Sequence, residues 1–263
     1  AGRRVRGKTE AITLTLRERF ALLAMRDVFS SLDGTPLAED ARTIFDKVAA
    51  TLPDDAARAL APLGPRFLYV PDGGIKSYAE HGDVVDALLT GALRRQTVDA
   101  QYEPAHGKKI AGGFEPWGIA LYRHGLYAVG RWEAEPGPRI FAVERFVSAA
   151  RRRSRFEVPA DLALDRFFAG AFGVFPGGTP EEVVLDFDSA VATIVEARRY
   201  HRTQRLERRR GGRVRMTLEL AVTPEVVSWL VGWGPMIRVV SPGVLAEKVA
   251  RDHRLALRQA QTA

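Results

Sequence analysis

"PWGIALYRHGLYAVGRW", Pro116 to Trp132, decides how the rest of the chain is read. Its aromatic and branched apolar residues on either side of "HG" are those of a buried β-hairpin. Yet Tyr122, Arg123, His124, Tyr127 and Arg131 thread hydrogen-bonding groups through it. Side chains on a strand alternate between faces, so Tyr127, Val129 and Arg131 are expected on one side and Leu126, Ala128 and Trp132 on the other. The second set builds a core, and the first is left for solvent or a ligand.

Working outward, the runs "TVDAQYEP" (Thr97 to Pro104), "FEPWGIALYR" (Phe114 to Arg123), "LYAVGRW" (Leu126 to Trp132) and "RIFAVERF" (Arg139 to Phe146) are short and β-like. They are separated by "HGKKIAGG", "HG" and "EAEPGP", which are turn compositions. Four or five short strands with tight turns predict a small barrel, which closes its edges and leaves a rim or face for a ligand.

Before the barrel the pattern is helical. Thr15 and Glu18 in "TLRE" form a capping box ahead of Leu16, Phe20, Leu23 and Val28 at helical spacing. A second helix is predicted from Leu37 to Leu52, with Ala41, Ile44, Phe45, Val48 and Leu52 on one face. Two apolar stripes with little nearby to cover them predict packing on each other and on a second copy of the chain, a helical dimerisation arm. A strand "RFLYV", a "PDGG" turn and a helix from Asp83 to Arg94 lead into the barrel.

After the barrel, "FGVFPGGTP" has the composition of a linker. Then come strand "EEVVLDF", a helix capped by Asp188, a hairpin around Gly211 and Gly212, a helix opened by Thr223 and Pro224, strand "MIRVV" and a last helix. The order βαββαβ is that of a ferredoxin-like domain. The predicted fold is therefore α+β, with a helical region over 1–94, the barrel over 95–158, a linker over 159–180 and the ferredoxin-like domain over 181–263.

Composition limits the function. The 263 residues contain no cysteine, which excludes disulfides, thiolate metal sites and a cysteine nucleophile. No apolar run is long enough to cross a bilayer and no signal peptide opens the chain, so a soluble, cytoplasmic protein without a membrane partner is expected. The net charge of +7 rests mainly on arginine, whose planar fork suits phosphate, so an anionic partner is expected. The arginines concentrate in "RRRSR" (Arg151 to Arg155) and in "EARRYHRTQRLERRRGGRVRM" (Glu196 to Met216). In the second run Arg198 and Arg199 serve equally well as helix-end charges or as ligand contacts, and "RRRGG" equally well as a solvated hairpin tip.

Enzymatic signals are missing. His81, His106, His124, His201 and His253 lack metal-ligand spacing, and the glycine pairs make neither a dinucleotide fingerprint nor a P-loop. Asp186 and Asp188 could hold Mg²⁺, but Asp188 is better used as a helix cap. Neither a cofactor nor a catalytic residue is expected.

In sequence order, "YEP", "PWGIALYRHGLYAVGRW" and "RIFAVERF" resemble the strands of the bacterial WYL-domain transcription regulators. The family triad falls on Leu126, Tyr127 and Ala128, where only the tyrosine is kept, and Glu115 stands where the family often has histidine. "VVSWLVGWGPMIRVVSPGVLAEKV" resembles the C-terminal extension domain of the same regulators. The resemblance implies an SH3/Sm-like barrel acting as a sensor in a homodimer, and a ligand that is single-stranded nucleic acid generated by DNA damage. It also implies a winged helix-turn-helix that reads promoter DNA, and no such unit is found before Thr15.

Single-strand binding needs cations that follow phosphates and flat faces on which bases stack. Tyr102, Lys108, Lys109, Trp117, Tyr122, His124, Tyr127, Arg131, Arg139 and Arg145 supply both from the barrel, joined by Arg198, Arg199 and Arg202. Against this, Arg131 or Arg145 could pair with Glu133 or Glu144. The competing functions are a dimerisation module that docks a partner such as RNA polymerase, and a sensor of a small anionic nucleotide.

Overall fold

A computed structural model describes residues 15–50, 69–70, 74–158, 168, 171–173 and 178–261. The fold is α+β with antiparallel sheets, and the chain divides into two compact units, residues 1–158 and 159–263.

The first unit begins with α1 (Leu16–Phe29) and α2 (Pro36–Ala50). The capping box forms in full: the Thr15 N–H and hydroxyl donate to the Glu18 carboxylate (2.7 and 2.8 Å), and the Glu18 N–H donates to Thr15 Oγ1 (3.3 Å). Those bonds hold the Glu18 carboxyl below its ordinary value. The buried Thr35 hydroxyl accepts from the Ala38 N–H (3.2 Å) and so caps α2, whose first residue is a proline. Leu32 and Ala38 join the hydrophobic core of this unit, while Met25 and Ile44 remain exposed. Leu52 and most of "RFLYV" lie outside the described residues; Tyr69 and Val70, its last two, are not in a strand.

α3 (Gly82–Arg94) lies on the sheet through Val84, Val85, Ala87, Leu88 and Gly91. A side chain at Gly91 would come within 2.8 Å of Val98 and 3.0 Å of Pro116, so glycine permits the close helix–sheet approach. Five strands follow: β1 (Gln96–Tyr102), β2 (Ile110–Tyr122), β3 (Gly125–Trp132), β4 (Arg139–Ala142) and β5 (Phe146–Arg155), in the order β4-β3-β2-β1-β5. "RIFAVERF" is thus split by a 3-10 turn at Val143–Arg145, and the arginine run beyond it is a strand. The core is aromatic, with Tyr102, Phe114, Trp132, Phe141 and Phe146 in contact at centroid distances of 5.0–6.3 Å.

The second unit contains β6 (Glu181–Phe187), α4 (Ala192–Glu196), β7 (Arg205–Arg208), β8 (Val214–Leu220), α5 (Pro224–Val231), β9 (Ile237–Ser241) and α6 (Gly243–Gln261). The sheet order is β7-β8-β6-β9, antiparallel throughout. Asp188 accepts from the Ala190 N–H (3.0 Å) and Thr223 from the Val226 N–H (3.5 Å), each ending a strand and starting a helical turn. Strict alternation buries Val183, Leu185 and Phe187 of β6 with Val214, Met216, Leu218 and Leu220 of β8, against Val226, Leu230, Leu245 and Val249 of the helices. α4 stops at Glu196, so Arg198 and Arg199 follow the helix rather than end it.

Candidate functional site

The hairpin tip between β2 and β3 consists of Arg123 and His124, both with left-handed backbone (φ 45° and 59°). A two-residue hairpin of this kind needs positive φ at both positions, and Asn-Gly or Asp-Gly is the usual solution. Two bulky basic residues here store strain, a feature that clusters at functional positions. The Arg123 guanidinium lies over the Tyr122 ring (5.4 Å), the Tyr122 and Tyr127 rings meet edge to face (6.4 Å), and the Tyr69 hydroxyl is hydrogen-bonded to His124 Nε2. His124 Nδ1 is buried and has no hydrogen-bond partner among the described residues.

The stretch before α3 crosses the start of β3. The Leu126 N–H donates to the hydroxyl of fully buried Tyr78 (2.6 Å), which fixes the crossing. Lys76 then lies over the Tyr127 ring (4.8 Å), donates to the Tyr127 hydroxyl (3.4 Å) and pairs with Glu144. A side chain at Gly125 would meet the Lys76 ammonium at 2.9 Å, so glycine leaves room for the lysine stem. Burial favours neutral Lys76, but the Glu144 carboxylate and Tyr127 outweigh it and the pKa rises above its ordinary value. The second Glu144 oxygen is buried and has no donor among the described residues. Three tyrosine rings, two cations, an imidazole and a carboxylate therefore share one end of the sheet. Such a set can stack a base and hold a phosphate.

Of the residues expected here, Tyr122, His124 and Tyr127 come together as described. Tyr102 does not: it packs on Phe141 and Phe146 in the core, because its place on β1 faces inward. Arg131 is committed to Glu115, the residue directly opposite on β2, through Nε and Nη2 contacts of 2.9–3.1 Å. Neither Glu133 nor Glu144 is its partner; they pair with Arg152 and Lys76. Val129, expected on the face of Tyr127 and Arg131, is fully buried, and those two side chains have separate partners.

Arg139 pairs with Glu135 and lies over Phe141, Lys109 pairs with Glu103, and Lys108 is exposed. Arg145 is exposed and has no ion pair among the described residues. Trp117 sits at a bulge in β2 with its indole N–H buried and without an acceptor among the described residues. Arg198, Arg199 and Arg202 belong to the second unit, where Arg199 donates to the Arg202 carbonyl (2.7 Å) beside a depression of about 340 Å³ lined by Phe168, Phe172, Tyr200 and His201. Lys76 was missed. In sequence it is a lone lysine after a "PDGG" turn, and only the fold carries it to Tyr127.

Among the described residues no group of three His, Cys, Asp or Glu side chains could hold a metal, and no helix is long and apolar enough to cross a membrane. Residues 83–151 match the WYL domain and residues 179–257 the WCX domain. Among solved structures the chain is similar to proteasome accessory factor B/C (PafBC) of Arthrobacter aurescens, at 17% identity and a TM-score of 0.36 over 91% of this chain and 33% of that one. It is also similar to a CRISPR Cas-related protein, at 11% identity and a TM-score of 0.46 over 86% of this chain and 63% of that one. The chain spans a third of the first and under two thirds of the second. No curated protein matches it.

Proposed function

We propose a function from the premise that this chain belongs to the WYL-domain regulators and carries a WYL domain followed by a WCX domain. It is the effector-sensing portion of a cytoplasmic transcription regulator. The first unit's sheet acts as an SH3/Sm-like barrel that binds single-stranded DNA, and a ferredoxin-like second unit accompanies it. The strand orders β4-β3-β2-β1-β5 and β7-β8-β6-β9 support these two folds. The domains are 1–94, 95–158, 159–180 and 181–263. Promoter DNA is read by a winged helix-turn-helix outside this chain, and ligand binding changes that reading. α1 and α2 pair with a second copy, a role supported by the exposed Met25 and Ile44. The module is non-enzymatic.

One observation carries the reading: Lys76, Tyr122, Arg123, His124 and Tyr127 assemble a cationic aromatic patch on a strained hairpin tip. A base stacks on the Tyr127 face in place of Lys76, and the displaced ammonium takes a phosphate instead of Glu144. Tyr127→Ala should weaken binding of a labelled single-stranded oligonucleotide by about 1–3 kcal/mol, with little change in the salt slope. Titrations at several salt concentrations check this, with duplex DNA and RNA of matched sequence alongside. Unchanged affinity in the folded variant would remove the patch as the site.

A further inference from the structure

Where α3 runs into β1, the first unit gathers five arginines that the patch at Tyr127 does not include. Arg94 ends α3, Arg95 is its cap, and Arg151, Arg153 and Arg155 lie on β5. The backbone joins the two groups: the Phe156 N–H donates to the Arg95 carbonyl (3.1 Å), Gln96 stands opposite Arg155, and Val98 opposite Arg151. Between those two pairs the register shifts, setting three residues of β5 against one of β1 and crowding the arginines.

All five are exposed, and none has an ion pair among the described residues. Asp99 and Glu133, acids on the neighbouring strand and after β3, are both taken by Arg152. Glu157 is exposed and also makes no ion pair among the described residues. Arg95 adds a second sign. It holds φ 55° and ψ 45° at a helix C-cap, where glycine is the usual residue because a Cβ is disfavoured. Crowded like charges and a left-handed arginine both work against folding, and both persist.

We propose that this arginine cluster is a base-blind contact surface for the phosphate backbone of the single-stranded nucleic acid, additional to the base-binding patch. The inference rests on the reading above that the ligand is a nucleic acid. Phosphate is the matching chemistry because every cation in the cluster is a guanidinium, a planar fork that binds phosphate oxygens in pairs. The cluster itself offers no aromatic ring for a base. β5 ends the sheet, so the arginines line an edge along which an extended strand can run.

The test compares two probes on the whole chain across salt concentrations: a labelled oligodeoxynucleotide and an abasic strand of equal length. Replacing Arg151, Arg153 and Arg155 together by alanine should lower the salt slope by roughly two units and weaken both probes by roughly tenfold at low salt. Arg95→Gly should raise the melting temperature while weakening both probes, a combination that a purely structural arginine would not give. Tyr127→Ala should weaken only the strand that carries bases. If the triple variant binds both probes as the wild type does, the cluster is not a phosphate surface, and the patch at Tyr127 stands or falls separately. If the wild type binds neither probe, both readings fall.

Discussion

The two units carry arginine in similar abundance and use it differently. On the second unit's sheet, Asp186 accepts from Arg215 (2.6 and 2.8 Å) and Arg238 (2.8 Å), Arg208 forks onto Glu196 (2.7 Å) and Arg209 reaches Glu207 (3.1 Å). At the edge of the first unit's sheet, Arg151, Arg153 and Arg155 have no such partners among the described residues. Cross-strand neighbours explain the contrast. Arg215 faces Asp186 on one side and Glu207 on the other, whereas Arg151 faces Val98 and Arg155 faces Gln96. An arginine count therefore says little about binding; the residue across the ladder decides whether a guanidinium is spent on the fold or left for a ligand.

That contrast can be broken or sharpened by mutation. The largest effect is expected at Arg131, which looks like a ligand contact in sequence but belongs with the paired class. Arg131→Ala strands the buried Glu115 carboxylate and should destabilise the first unit by about 3 kcal/mol in urea unfolding. Adding Glu115→Gln should recover part of the loss, since the pair acts as a unit. A loss below about 1 kcal/mol would move Arg131 to the unpaired class.

Asp186 comes next. Its carboxyl is pulled down to about 2, first by the Arg215 hydrogen bonds and then by Arg238, against the opposing effect of burial. In the unfolded chain it returns toward 3.8, so between these values the unfolded state binds more protons. Stability from this site is full above about pH 4 and fades as pH falls toward 2. Asp186→Asn should lower stability at neutral pH by about 1–2 kcal/mol and flatten that acid limb. An unchanged acid limb would show that the three-residue network contributes nothing. The smallest effect is expected at Arg205, whose exposed partner Glu182 is 3.9 Å away: Arg205→Ala should change stability by less than about 0.5 kcal/mol at any salt concentration.

Local chemistry was legible wherever neighbours in sequence settle it. The capping box at Thr15 and Glu18, the caps at Asp188 and Thr223, and the βαββαβ order all follow from residues a few positions apart. The candidate site was legible only where it lies within the hairpin, at Tyr122, His124 and Tyr127. Tyr102 was misplaced because a tyrosine on a short strand serves equally well as core or surface until the opposite face is known. "RRRSR" gave no strand signal, since its strand character comes from pairing with β1 rather than from apolar alternation.

The sequence by itself determined the turns, the helix starts, the alternation that puts Leu126, Ala128 and Trp132 inside, and the cationic, cysteine-free character that directs attention to an anionic ligand. Tertiary structure alone decided which charges are neutralised. Lys76 reaches Tyr127 and Glu144 across 51 and 68 residues of chain, and Arg152 reaches Asp99 across 53. Such partners are set by strand order and register, which a charged side chain does not encode: ionic attraction is weak and non-directional beside the burial of Phe114, Trp132 and Phe146 that fixes the sheet.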